Sequence, residues 1–228
     1  MDRARRLFVS PHLDDAVFAC GQWIASARDA IVVTICAGRP PVGAPITTWD
    51  AECGFRAGDD VITLRRDEDR AALDALGARP LWLDFRDDQY GEPRTVEMIG
   101  NALAGVIARE HPAAIHVPLG LFHADHARAS DAALMLVDRF ASLAWHVYED
   151  AIYRQIAGAC RARMHALAER GFAFERCAPA LDGDAATRKH AAVACYRSQL
   201  RALATRNAHD DVHAPEGHWI VSRNGDAR

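Results

Sequence analysis

Residues that could bind a metal or transfer a proton are concentrated in the segment PHLDD, residues 11–15. It contains one imidazole, His12, and two consecutive carboxylates, Asp14 and Asp15. Imidazole and carboxylate are common zinc ligands, and a further carboxylate can act as a general base. An amphipathic run follows directly, so a simpler interpretation is that one aspartate caps a helix and that His12 has no chemical role.

A second group of such residues lies far along the chain, in the segment GLFHADHARAS. It contains His123, Asp125 and His126, and like PHLDD it follows a short apolar run. In an open doubly wound sheet of order 3-2-1-4-5, strands one and four are neighbours, and ligands bind beyond their carboxyl ends. We therefore expect the two segments to face each other across one crevice.

Together the two segments offer the ligands of a catalytic zinc site. One carboxylate and two imidazoles would leave a fourth position open for water, as catalytic rather than structural zinc sites do. Of two consecutive carboxylates on a tight turn, only one can comfortably reach a metal that His12 binds. Its neighbour is then free for proton transfer.

The elements that must position these residues follow a βαβ rhythm, which predicts an α/β, Rossmann-like fold. Continuous apolar character in the strands favours a mostly parallel sheet with helices on both faces. Strands are predicted at 6–10, 30–36, 80–85, 113–119, 144–149 and 218–222, and helices at 16–28, 66–76, 95–110, 127–142, 153–169 and 185–204. The Gly- and Pro-rich segment 37–60 is predicted to be a long loop or lid. We expect one domain over residues 1–228.

Composition argues against several classes of partner and compartment. The 228-residue chain has a formal net charge of -4 without a basic stripe, which disfavours nucleic acid as a partner. Apolar runs are too short to span a bilayer, and no secretory apolar segment follows the basic start, so we expect a cytoplasmic protein. Six cysteines without a CxxC pair are expected to be reduced thiols rather than ligands.

PHLDD and HADH resemble the paired motifs, (H/P)xDD and HxxH, of the PIG-L/LmbE-like zinc N-deacetylases. The resemblance implies three ligands for Zn²⁺ or another divalent metal, namely His12, Asp15 and His126. It also implies Asp14 as general base, His123 as the acid or oxyanion stabiliser, and Asp125 as the modulator of His123.

Other stretches are similar to the family with less specificity. RRDEDRAALDALGA matches a helix in which Arg65 would contact the substrate, and FRDDQYG places Asp87 where a sugar hydroxyl can be bound. VYEDAIY and CYRSQL resemble later blocks of one bacterial branch. Ala16 stands where many members have Glu, and Ile152 where that branch often has Pro.

The implied activity is removal of an acyl group, most simply acetyl, from a small N-acylated amino sugar or its conjugate, with association into homo-oligomers as in other members. A metal-dependent esterase or phosphoesterase could use the same activated water. A sugar-binding module without catalysis is the third alternative, although a binding module has no need of a base.

The remaining candidate residues have simpler interpretations. Trp49 and Tyr90 lie in loops near the expected cleft, where they would stack on a sugar or pack in the lid. HDDVH, residues 209–213, mimics the first motif but is predicted to be solvated surface. Eight histidines outside the two clusters are predicted to be structural or exposed: His111, His116, His146, His165, His190, His209, His213 and His218.

Overall fold

A seven-stranded sheet organises the computed structural model, which describes residues 5–91, 94–205 and 209–224. Its strands are β1 Arg6–Ser10, β2 Ala30–Thr34, β3 Arg79–Trp82, β4 Ala114–Pro118, β5 Ala144–Tyr148, β6 Phe172–Cys177 and β7 His218–Arg223. The spatial order is β3-β2-β1-β4-β5-β7-β6. The first five strands are parallel, and β7 and β6 complete one edge in antiparallel pairing. The prediction that strands one and four are neighbours is confirmed.

Eight α-helices occur in the described part of the chain. They are α1 Asp15–Ser26, α2 Thr48–Glu52, α3 Val61–Leu76, α4 Val96–Glu110, α5 Ala124–Leu134, α6 Ala159–Glu169, α7 Ala185–Val193 and α8 Arg197–Ala204. None of these helices is long and apolar enough to cross a membrane.

Helices cover both faces of the sheet because its central strands are apolar on both sides. Every residue of β2 and β4 is buried. Leu7 and Val9 point into a core shared with α4 and α5, whereas Phe8 and Val32 point into a second core shared with α1, α3 and α7. The predicted α/β, Rossmann-like class is confirmed, while the assignment of residues 1–228 to one domain stays a prediction.

Several helix boundaries differ from the predicted ones because long-range contacts decide them. The helix predicted over 185–204 is two helices, since Glu68 on α3 accepts hydrogen bonds from the backbone N–H and the hydroxyl of Ser198 and so starts α8. The helix predicted over 153–169 begins at Ala159, after Gly158 with φ 79°. The helix predicted over 127–142 begins at Ala124, where His123 caps it, and ends at Leu134. Strand β6 was not predicted, because its half-exposed sequence FAFERC lies at a sheet edge.

The prediction that the segment HDDVH is solvated surface is wrong for Asp211 and Val212, whereas His213 is exposed. The segment forms a short 3-10 helix, His209–His213, in which Asp211 and Val212 are buried. Asp211 accepts hydrogen bonds from the backbone N–H of Ile152 and from Arg154 Nε, the latter at 3.0 Å. This ion pair joins the C-terminal region to the loop after β5, a contact that the local sequence does not show.

Asp211→Ala is expected to destabilise the protein by about 3–5 kcal/mol, because the substitution leaves the buried Arg154 guanidinium without its carboxylate. Urea unfolding followed by circular dichroism measures the change. Asp138→Ala removes the partner of Arg223 at an exposed site and should leave the midpoint unchanged. Equal midpoints for the two variants would contradict a structural role for the Asp211 pair.

Candidate metal centre and active site

A cavity of about 470 Å³ opens at the carboxyl ends of β1 and β4. Both chemically active segments contribute to its lining. His12 and Asp14 come from the loop after β1 and Asp15 from the first turn of α1. His123 comes from the loop after β4 and His126 from the first turn of α5. The structure thus brings together residues that are far apart in sequence, at the place where open parallel sheets bind ligands.

The turn that carries PHLDD presents the Asp14 side chain to the cavity. Asp14 occupies the N-cap position of α1 with φ 145°, yet its carboxylate makes no capping hydrogen bond. Ser10 takes that role instead: its hydroxyl accepts from the backbone N–H of Ala16 at 3.0 Å. A non-glycine residue with this φ is strained, and such strain is found mainly at functional sites. The capping interpretation therefore does not apply to Asp14.

Three ligand atoms converge beside Asp14. Asp15 Oδ2 lies 3.1 Å from His12 Nδ1 and 3.2 Å from His126 Nε2. His12, Asp15 and His126 form a group whose ligand atoms all lie within 4.8 Å of one another. A mixed nitrogen and oxygen donor set of this size is what Zn²⁺ takes in catalytic sites.

The second nitrogen of each of these imidazoles faces a buried carboxylate. Asp125 Oδ2 lies 3.0 Å from His12 Nε2, and Asp150 Oδ1 lies 2.6 Å from His126 Nδ1. Histidines that bind metals nearly always make such a contact through the nitrogen away from the metal. The donor set and its surroundings therefore fit a metal ion held by His12, Asp15 and His126.

A second possible donor set, His12, His123 and Asp125, shares this cleft. The carboxylate of Asp125 is already neutralised, because its Oδ1 lies 3.2 Å from Arg94 Nη1 and 3.0 Å from Arg128 Nη1. Although burial acts in the opposite direction, the hydrogen bond from His12 and the arginine charge hold the pKa of Asp125 well below its usual range. A cation beside two guanidinium groups is electrostatically unfavourable, so the set containing Asp15 fits a metal better.

Asp14 and Arg65 form the charged floor of the cavity. Burial, together with the neighbouring carboxylate of Asp15, raises the pKa of Asp14, and the charge of Arg65 opposes this rise. Arg65 is buried on α3, and its Nε has no hydrogen-bond partner among the described residues. Arg65 lines the cavity and so brings a positive charge next to a carboxylate that binds protons more readily than an ordinary aspartate.

The position of His123 fixes which of its nitrogens carries the proton. Its Nδ1 accepts a hydrogen bond from the backbone N–H of Asp125 at 3.2 Å, as the cap of α5. Burial and the charges of His12 and His126 lower the pKa of His123, so the ring is neutral and its proton lies on Nε2. The carboxylate of Asp125 lies 3.0 Å from His12 Nε2, and its charge acts against the lowering of the His123 pKa, so its role as modulator of His123 stays a prediction. His123 is therefore both a capping residue and a hydrogen-bond donor at the cavity.

The other predicted substrate residues lie on the cavity wall or behind it. Asp87 lines the cavity, with its Oδ2 3.7 Å from His12 Nε2. Trp49 also lines it and donates from Nε1 to Gln199 Oε1 at 3.1 Å. Tyr90 is not among the described lining residues, and its hydroxyl donates to Asp50 at 2.9 Å. Of the two aromatic residues, only Trp49 can contact a bound ligand in this arrangement.

Asp150 and Tyr153 also belong to the site, although they lie outside the two motifs that predicted it. Asp150 comes two residues after the end of β5, and the ring of Tyr153 packs edge-on against His126 at 5.1 Å between centroids. Their signal was position, because β5 is parallel to β4 and ends at the same edge of the sheet.

Comparisons with known proteins agree with this geometry. Residues 7–137 match the model of the PIG-L family, described as GlcNAc-PI de-N-acetylase. A triple mutant of a deacetylase from the teicoplanin biosynthetic pathway has a TM-score of 0.81 and 27% identity, covering 98% of this chain and 100% of that one. The deacetylase of the A40926 pseudoaglycone has a TM-score of 0.74 and 27% identity, covering 98% and 99%.

More distant similarity shows the fold alone. The 4-carboxy-2-hydroxymuconate hydratase of Pseudomonas putida has a TM-score of 0.55 and 19% identity, with 95% of each chain covered. No curated protein matches the sequence. Because the family model covers more than half of the chain and includes both motifs, the chain belongs to the PIG-L family.

Proposed function

We propose that this protein is a zinc-dependent hydrolase that removes the N-acetyl group from an amino sugar or an amino-sugar conjugate. The observation that carries the proposal is the Asp14 carboxylate, which faces the cavity without a capping bond beside the converging ligands His12, Asp15 and His126. A site that only bound sugar would have no use for a strained, uncapped carboxylate at this place.

His12, Asp15 and His126 would hold the metal, and their buried partners keep the two imidazoles in place. When bound, zinc supplies a Lewis acid and lowers the pKa of a water molecule to about 7. The remaining chemistry falls to side chains of this chain.

Asp14 acts as the general base. Its carboxylate accepts a proton from the attacking water, whose oxygen forms a bond to the carbonyl carbon of the acetamide. Asp14 then returns this proton to the amide nitrogen as the C–N bond breaks, giving acetate and a free amine. The raised pKa of Asp14 suits this exchange, because a base that must also act as an acid needs a pKa nearer neutrality.

His123 stabilises the negative charge that develops on the carbonyl oxygen. Its neutral ring presents Nε2–H to the cavity because Nδ1 is held by the start of α5. A preorganised donor of this kind contributes about 10²- to 10³-fold to the rate. Of the two roles implied for His123, acid or oxyanion stabiliser, the hydrogen-bond geometry supports the stabiliser.

Arg65 and Asp87 bind the sugar in this proposal. Both residues line the cavity, where the guanidinium of Arg65 can donate to a hydroxyl oxygen and Asp87 can accept from a hydroxyl. Trp49 offers an apolar face on the same wall. A cavity of about 470 Å³ is of a size to enclose an amino sugar.

Acetate release tests the activity directly. Zinc-loaded protein is expected to release acetate from N-acetylglucosamine or its glycosides and to leave the corresponding O-acetyl esters and phosphoesters largely intact. Enzymatic measurement of acetate and free amine would establish both products. Turnover of the esters or phosphoesters alone would favour the esterase alternative, and tight sugar binding without acetate would favour the binding module.

Metal content distinguishes the two possible donor sets. His126→Ala should hold clearly less zinc than the parent after stripping, reloading and desalting, because it removes one of three ligands. His123→Ala should retain the metal and lose turnover only. Elemental analysis of both variants measures this, and the opposite pattern would assign the metal to His12, His123 and Asp125.

Asp14→Asn is expected to keep the fold and the zinc but to lower kcat by about 10²- to 10⁴-fold, because an amide does not accept the proton of water. Asp74→Asn, at an exposed position on α3, serves as the matched control and should leave kcat unchanged. A near-normal rate in Asp14→Asn would remove Asp14 from the role of base.

A further inference from the structure

We infer that Asp150 is a positioning residue that determines two features of the site. The first is which ring nitrogen of His126 is available to the metal, and the second is the position of the loop that carries His123. The inference rests on the proposed metal site. Asp150 lies directly beyond β5, is buried, and is not among the residues that line the cavity.

The two oxygens of Asp150 have different partners. Oδ1 contacts His126 Nδ1 at 2.6 Å, and Oδ2 accepts hydrogen bonds from the backbone N–H groups of Gly120 at 2.8 Å and Leu121 at 3.1 Å. A carboxylate is the only side-chain group that accepts hydrogen bonds at both ends.

The contact with Oδ1 determines the tautomer of His126. Because an ionised carboxylate only accepts, the proton of a neutral His126 ring must lie on Nδ1. Nε2 then keeps its lone pair, and Nε2 is the nitrogen that lies 3.2 Å from Asp15 Oδ2 in the ligand set. Asp150 thereby makes His126 ready to bind a metal.

The contact with Oδ2 determines where His123 stands. Gly120 and Leu121 immediately precede Phe122 and His123, and Leu121 C=O accepts from His123 N–H at 2.6 Å. Gly120 has φ 87°, and a Cβ there would lie 2.6 Å from Ser130 and 3.1 Å from the His126 carbonyl, so the loop is closely fitted to α5. Losing the anchor would release the segment that ends in His123.

Asparagine has the shape of aspartate, but its side chain has only one oxygen. It can therefore accept hydrogen bonds either from His126 or from Gly120 and Leu121, but not from both sides. If its oxygen faces Gly120 and Leu121, its NH₂ group faces His126 Nδ1 and favours the tautomer with the proton on Nε2. If its oxygen faces His126 instead, the NH₂ group opposes two backbone N–H donors. Either orientation therefore disturbs the tautomer of His126 or the position of the His123 loop, so Asp150→Asn tests the inference without a change of side-chain size.

Asp150→Asn is expected to weaken zinc binding by about 10- to 100-fold, measured by competition with a chromophoric chelator. Asp69→Asn is the matched control, because Asp69 is equally buried and accepts from Trp82 Nε1 and Tyr196 Oη, both at 2.7 Å. The control should lower the melting temperature and keep the parent's zinc affinity. Parent-like zinc affinity in Asp150→Asn, or an equal loss of affinity in Asp69→Asn, would overturn the inference.

A measurement on the parent protein covers the case in which Asp150→Asn does not fold. In zinc-loaded protein with ¹⁵N-labelled histidine, NMR should show His126 protonated at Nδ1 and bound to zinc through Nε2. Zinc bound through Nδ1 would overturn the role of Asp150, whereas a parent that binds no zinc would overturn the proposed metal site and, with it, the inference that rests on that site. Neither readout needs turnover, so a failure of the deacetylase proposal is seen separately in the acetate assay.

Discussion

The parallel pairing of β1 with β4 is the constraint on which the site depends. Its register places Arg6 opposite Ala114, Leu7 opposite Ile115 and Phe8 opposite His116, so both strands end at the same edge of the sheet. Because β4 also pairs in parallel with β5, Asp150 arrives at that edge too. The parallel pairing of these three strands is therefore enough to bring the ligands of the metal site and Asp150 together.

Several carboxylates lie close together at this edge of the sheet, and their negative charges must be compensated. Each carboxylate has a different set of compensating partners. Asp125 is neutralised by Arg94 and Arg128, and Asp150 by two backbone N–H groups and His126. Asp15 lies beside two imidazoles and accepts a hydrogen bond from the backbone N–H of His12, whereas Asp14 is offset by the charges of Arg65, His12 and His126. Asp14 and Asp15 both face the cavity, where a metal ion would add positive charge beside them.

The sequence was sufficient to predict the central architecture and the convergence of the two motifs, because both follow from local signals. Buried apolar runs predicted the parallel strands, and the PHLDD and HADH segments lie at their carboxyl ends. The sequence was insufficient where a distant partner decides the outcome. Glu68 divides the last long helix at Ser198, and Asp211 is buried by Arg154.

Part of the cavity wall comes from a different region of the chain than the groups on the cavity floor. The ligand set, Asp14 and His123 all lie within the segment that matches the family model, whereas Ile152, Gln199 and Leu203 line the cavity from beyond it. Ile152 adopts φ 62°, and its backbone N–H is held by the buried carboxylate of Asp211. Because this part of the wall and the reacting groups come from separate parts of the chain, it can change to suit another conjugate while the groups that move the proton stay in place.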